Sequence, residues 1–168
     1  MKIKNFPSYK DQLIHVVIET LRGTPYKYDY DFDFDLFRMN KILPLGMVFP
    51  FDFGFIPSTK AEDGDPLDVL LLMDEQGMQG TLVPARPIAV LEASQKEKGE
   101  EFRNDRIVAV ADFSHCYKGI DHITQLNHDL PGQIEIFFKQ YNLLAGKEFI
   151  PLGWQDGQKA FEMIKKYG

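Results

Sequence analysis

The sequence predicts an α+β, mainly β fold: a small barrel of short strands with two helices packed against it near the C-terminus. Three observations support this. Short apolar or alternating segments recur through residues 14–111, glycine and proline punctuate between them, and helical periodicity appears only after residue 130.

Residues 14–19, Ile-His-Val-Val-Ile-Glu, read as the first strand. From Tyr26 to Asp35 aromatic and charged residues alternate without a break. A period of two places the aromatics on one face and Lys27 with four aspartates on the other, and a hairpin turn near Asp33 is compatible with that spacing. Further strands are predicted at 36–43, 69–73, 81–92 and 106–111, separated by Pro44, Gly46, Pro50, Gly54, Pro57, Gly77 and Gly80. The first helix shows in Ile134, Phe137, Phe138, Tyr141 and Leu144, which share one face, and Gly146 stops it. A second helix is predicted over about 156–167, with Ala160, Phe161 and Ile164 facing inward. No repeat or linker interrupts the chain, and its 168 residues suffice for one domain over 1–168 with its own core.

Acidic residues outnumber basic ones by 25 to 19, for a net charge of −6, which argues against bulk binding of nucleic acid. A locally positive pocket for a small anion stays open. The single cysteine, Cys116, rules out an internal disulfide and fits a reducing, cytoplasmic setting. Met1 to Asn5 has no apolar core of signal-peptide length, and no apolar run approaches a membrane span.

Residues 62–68, Glu-Asp-Gly-Asp-Pro-Leu-Asp, are the most informative about function. Asp63, Asp65 and Asp68 crowd together just before the apolar run Val69 to Met73. Carboxylates this close repel one another, and a hard divalent cation such as Mg²⁺ offsets the cost. Gly64 permits a backbone conformation that other residues resist, and Pro66 pushes Asp65 into an extended one, so that Asp63 and Asp65 point to the same side. A solvated acidic turn is the plain alternative. A calcium loop counted from Asp63 fails, because Leu67 and Asp68 fall where an oxygen ligand and a glycine are needed.

Other charged residues stand at strand ends: Glu19, Lys27 and Asp29, then Arg103-Asn104-Asp105-Arg106 before Ile107, and Lys147 after Gly146. Each taken singly reads as surface charge, and Tyr141 reads as a core tyrosine. The four histidines lack metal-ligand spacing, and no P-loop or Gly-x-Ser-x-Gly elbow is present. Acids for several Mg²⁺ ions beside bases for oxyanions suit phosphoryl chemistry.

At Asp63-Gly64-Asp65-Pro66-Leu67-Asp68-Val69 the chain resembles the signature of the family I soluble inorganic pyrophosphatases. The resemblance extends to Val17-Ile18-Glu19, Lys27-Tyr28-Asp29, the loop from Phe49 to Ile56, Asp121-His122-Ile123, Phe137 to Tyr141, Gly146-Lys147 and Gly153-Trp154. It implies a five-stranded, OB-like closed barrel with two flanking C-terminal helices. It implies a hydrolase that splits pyrophosphate into two phosphates with a metal-activated water, using Mg²⁺, with Mn²⁺ or another divalent ion as substitute. A cytoplasmic homo-oligomer is implied, hexamer before dimer. Asp63, Asp68 and an aspartate of the second cluster, Asp105 or else the slot of Asn104, resemble the metal ligands. Asp65 resembles the general base and a further ligand, Glu19 and Asp29 the outer acids, and Glu97 another metal ligand. Lys27, Arg106 and Tyr141 resemble phosphate contacts. Lys41 stands where the family commonly has arginine, Phe49 and Phe53 where tyrosines are usual, and Asn142 where a lysine is, with Lys147 or Arg103 available to compensate. The rival readings are a catalytically weak pyrophosphatase-like module that binds a phosphorylated ligand or a protein partner, and an OB-type nucleic-acid binder, which the acidic face around 29–35 opposes.

Overall fold

A computed structural model describes residues 3–168, apart from the Lys4 side chain; Met1 and Lys2, part of the segment read above for a leader, lie outside the described residues. The strands are β1 (Tyr9–Lys10), β2 (Leu13–Thr20), β3 (Tyr26–Asp31), β4 (Leu36–Ile42), β5 (Asp52–Phe55), β6 (Asp68–Leu72), β7 (Leu82–Glu97), β8 (Glu100–Arg103) and β9 (Arg106–Ala111). Helix α1 (Leu130–Leu143), strand β10 (Glu148–Asp156) and helix α2 (Gln158–Tyr167) complete the chain.

Five strands close into a ring in the order β2, β5, β6, β9, β7 and back to β2. The β6–β9 pair is parallel and the other four are antiparallel. Alternate residues of the ring strands enter two cores. Ile14, Val16, Ile18, Val69, Leu71, Val83, Ala85, Ile107 and Ala109 fill the interior, joined by Ala160, Met163 and Ile164 of α2. Their neighbours Leu70, Leu72, Leu91, Val108 and Val110 face outward beneath Ile134, Phe138 and Tyr141 of α1. The unbroken apolar run from Val69 to Met73 follows from this, since a strand covered on both faces has no polar side.

The structure holds strands that periodicity does not reveal. Residues 49–56, read as a loop, contain β5, whose Gly54 is required by a close approach: a Cβ there would stand 2.0 Å from the Val17 carbonyl oxygen. Strand β10 carries Pro151 and, among the described residues, pairs only with β7, where an edge position tolerates a missing donor, and its register slips between Pro151 and Gly153. Strand β7 runs on to Glu97 and turns back through Lys98 and Gly99, both at positive φ, to form the β7–β8 hairpin. The alternating segment from Tyr26 divides as its spacing allowed: β3 ends at Asp31, whose Oδ1 accepts from the N–H groups of Asp33 and Phe34 at 3.0 and 3.1 Å to start the turn into β4. Leu144 is exposed rather than part of the buried stripe, because α1 ends one residue before it. Among the described residues no helix is long and apolar enough to cross a membrane.

Candidate functional site

A cavity of about 220 Å³ opens between the β3–β4 hairpin, the 59–68 loop, the β7–β8 hairpin, the start of β9 and the end of α1. The hairpin contributes Lys27, Asp29, Asn40 and Lys41, the loop Asp63, Asp65 and Asp68, and α1 with its exit Tyr141, Asn142 and Lys147. Gln95, Glu97, Phe102, Asn104 and Arg106 complete the wall. The sequence thus places Asp63, Asp65, Asp68, Asp29, Glu97, Lys27, Lys41, Arg106, Tyr141 and Lys147 around one space, although they come from five separate segments.

The acidic loop is folded by its own backbone. Gly64 takes φ +91°, its N–H reaches Ala61 O at 3.0 Å, and the Ala61 N–H reaches Asp65 O at 2.7 Å. Thr59 Oγ1 accepts from the Leu67 N–H at 3.0 Å and delivers the chain into β6. Asp63 and Asp65 stand on the open rim. Burial by the protein on their inner side nonetheless raises both, Asp63 to about 6, and each is raised further by the charge of Asp68. Neither forms an ion pair among the described residues.

Asp68 begins β6 and pairs in parallel register with Arg106 at the start of β9, so their side chains meet: Arg106 Nη1 lies 2.7 Å from Asp68 Oδ2. Arg106 is 5% exposed and lies against the rings of Phe138 and Phe149, 5.1 and 5.7 Å from their centroids.

Two bulges re-aim side chains into or under the cavity. Lys27 pairs with Lys41 but Tyr28 pairs with Met39, so Asn40 is the extra residue, and both Asn40 and Lys41 reach the wall despite being neighbours. Asn40 donates to Asp29, which also pairs with Lys27. In β2 the register slips between Ile18 and Thr20, leaving Glu19 unpaired in the ladder and turned inward. Glu19 accepts from the Tyr30 N–H at 2.7 Å and lies 3.5 Å from Lys27 Nζ. Burial pushes its carboxyl up to about 7, against the pull of Lys27 and the Tyr30 N–H. Burial also opposes the Lys27 charge, but Glu19 and Asp29 outweigh it and hold that ammonium above the ordinary lysine range. Lys41 lies over the Tyr141 ring at 4.4 Å, and burial, then Lys147, lowers its pKa. Burial raises the Tyr141 phenol to about 12. Lys147 pairs with Glu97 at 2.9 Å.

Three expectations need correction. Asp105 does not face the cavity. Alternation at the mouth of β9 sends Asn104 and Arg106 inward and Asp105 to the other side, where it accepts from the Ala93 N–H at 2.9 Å and pairs with Arg103 at 2.8 Å. Asn104 takes the wall position. Arg103 is held by Asp105 and Glu92 and is likewise absent from the lining. Glu19 lies behind Lys27 rather than among the cavity's outer acids, because the bulge buries it. Phe53 and Phe49 are core rings: Phe53 sits beneath Lys27, 5.0 Å from its Nζ, and Phe49 packs on Phe137 and Tyr141. Sequence reasoning missed Asn40, Gln95 and Phe102. The Lys98-Gly99 turn was the available signal for the last two, since it places Gln95 opposite Phe102.

The donor set suits a hard cation in part. Asp63, which accepts from the Asp65 N–H at 3.1 Å, and Asp65 offer carboxylates without an ion-pair partner, but among the described residues no three acidic, imidazole or thiol side chains converge closely enough to share one ion. In the same lining Asn104, Gln95 and Asn142 are neutral, and Lys27, Lys41, Arg106 and Lys147 present four cationic groups to an anion.

The inorganic pyrophosphatase family profile matches residues 16–167. An inorganic pyrophosphatase of Halobacterium salinarum is 36% identical over 154 residues, 91% of this chain and 85% of the relative. One of Nostoc sp. is 36% identical over 160 residues, 93% of this chain and 90% of the relative. The solved structure of the inorganic pyrophosphatase from Thermus thermophilus superposes with a TM-score of 0.88 at 32% identity, covering 98% of this chain and 95% of that one.

Proposed function

From the premise that the chain belongs to the inorganic pyrophosphatase family, we propose that its cavity hydrolyses pyrophosphate to two phosphates with a divalent metal, Mg²⁺ before Mn²⁺. The observation that supports this best is the juxtaposition around one cavity of about 220 Å³ of two carboxylates without an ion-pair partner among the described residues, Asp63 and Asp65, and four cationic groups. Asp63 and Asp65 would hold the ion's side of the reaction, and a bound divalent ion supplies charge neutralisation and a water of lowered pKa.

Asp65, at the rim and raised by burial and by Asp68, receives the water's proton. Lys27, Lys41, Arg106 and Lys147 bind the phosphate oxygens, each held by a partner: Lys27 by Glu19 and Asp29, Lys41 by the Tyr141 ring, Arg106 by Asp68, Lys147 by Glu97. Tyr141, protonated through neutral pH, donates its hydroxyl hydrogen. Asp29 and Glu19 orient Lys27 and contribute no metal ligand in this reading. A homo-oligomer, hexamer before dimer, and a cytoplasmic setting are carried over from the family resemblance; light scattering on the purified chain tests the first.

Phosphate release from magnesium pyrophosphate is the deciding assay. Release is expected with Mg²⁺ and its loss with EDTA; full activity in EDTA, or none with Mg²⁺, sinks the reading. A weakly catalytic module that binds a phosphorylated ligand is favoured by one observation, that Arg106 already neutralises Asp68. Calorimetric binding of pyrophosphate without turnover would select it.

A further inference from the structure

Arg106 is a buried charge of the cavity held by four oxygens. Its Nη1 forms an ion pair with Asp68 Oδ2 at 2.7 Å and donates to Asn104 Oδ1 and to the backbone oxygens of Asn104 and Asp105 at 3.3 and 3.1 Å. The Asn104 amide cannot turn away, because its Nδ2 donates to Gln95 Oε1 at 2.8 Å and so keeps Oδ1 on the guanidinium. One carboxylate and one amide oxygen therefore hold a buried cation against two aromatic rings. Its Nε is buried without a hydrogen-bond partner among the described residues.

The charges around it divide unequally. Asp68 is neutralised by Arg106, Asp29 by Lys27 and Glu97 by Lys147. Asn104 and Gln95, which line the same cavity as Asp68, are neutral and poorer ligands for a hard cation than carboxylates. Asp63 and Asp65 alone among the cavity's acids lack a cationic partner among the described residues. One or two carboxylates suffice for a single Mg²⁺-like ion that keeps most of its waters, and a second ion needs further anionic oxygens.

We propose that the cavity takes one protein-bound divalent ion, on the Asp63–Asp65 side, and that the Arg106 guanidinium, fixed by Asp68 and Asn104, is a permanent second positive centre in place of a second protein-bound ion. The inference rests on the pyrophosphatase reading only for the identity of the anion that would span the two centres. The ion count is measured without any anion.

The experiment is equilibrium binding of Mn²⁺ to the whole chain without pyrophosphate, with free Mn²⁺ followed by electron paramagnetic resonance. Wild type should bind one ion per chain, and Asp63→Asn should lose it. Asn104→Asp alone should still bind one, since the guanidinium keeps its place. Asn104→Asp combined with Arg106→Gln should bind two, because Asp68 and the new carboxylate are then free to share an ion. Two ions or none on wild type overturns the proposal. So does retention of the ion by Asp63→Asn, or a double variant that stays at one with wild-type circular dichroism. If the double variant does not fold, the wild-type and Asp63→Asn counts decide. One bound ion without phosphate release would sink the pyrophosphatase reading and leave this inference standing, whereas two ions with brisk release would do the reverse.

Discussion

Replacing Glu19 with glutamine should stabilise the protein at alkaline pH while weakening its grip on phosphate. Glu19 is 7% exposed, accepts from the Tyr30 N–H at 2.7 Å and faces Lys27 Nζ at 3.5 Å. Burial raises its carboxyl from 4.5 to about 7, so the folded chain holds this proton more tightly than the unfolded one. The sign follows: the contribution to stability is full below the unfolded value and is lost as pH rises through the folded one. Between about pH 5 and about pH 8 the loss comes to about 2.5 kcal/mol. Glutamine keeps an acceptor for the Tyr30 N–H and does not ionise. Relative to wild type, Glu19→Gln should therefore gain about 2.5 kcal/mol over the same interval. The substitution also leaves Lys27 with Asp29 as its remaining carboxylate, so KM for magnesium pyrophosphate should rise roughly tenfold, as expected for a weakened hydrogen bond to a charged group. Urea unfolding of both proteins in EDTA across this pH range, with unchanged m-values, reads the first effect, and steady-state phosphate release reads the second. A stability difference that stays constant with pH would refute the account of Glu19 as a carboxylate held at a desolvation cost.

Lys147→Met should raise KM for pyrophosphate about tenfold with little change in kcat, since it removes one charged contact and frees Glu97; an unchanged KM in steady-state assays removes Lys147 from the phosphate set. Asp65→Asn should lower kcat by roughly 10²–10⁴ while Mn²⁺ binding persists more weakly, and wild-type turnover would show that Asp65 is not the base. Gly54→Ala should destabilise by roughly 3 kcal/mol or more, because the added methyl meets the Val17 carbonyl oxygen at 2.0 Å and the β2–β5 pair must part; thermal unfolding at the wild-type temperature would mean that the two strands are not paired in this register.

The sequence alone determined the parts whose signals are local. Asp63-Gly64-Asp65-Pro66-Leu67-Asp68 announces its charge crowding and its turn chemistry without reference to anything distant. Period two from Tyr26 and the stripe from Ile134 to Tyr141 announce a hairpin and a helix, because backbone geometry alone sets those periods. Strands β5 and β10 are hidden by glycine and proline, whose tolerance there depends on a neighbouring strand or an edge position. The same holds for the orientation of charged side chains. That Asn104 and not Asp105 reaches the cavity depends on where β9 joins β7 and β6. That Glu19 is buried and that Asn40 and Lys41 share a wall depends on single-residue bulges, which exist only as mismatches between two paired strands. Asp68 meets Arg106 through the one parallel register of the ring, across 38 residues of chain that carry no trace of the contact. Which acids face an ion and which already face a cation was therefore decided by tertiary structure, because charge pairing is a property of distance in space and not of separation along the chain.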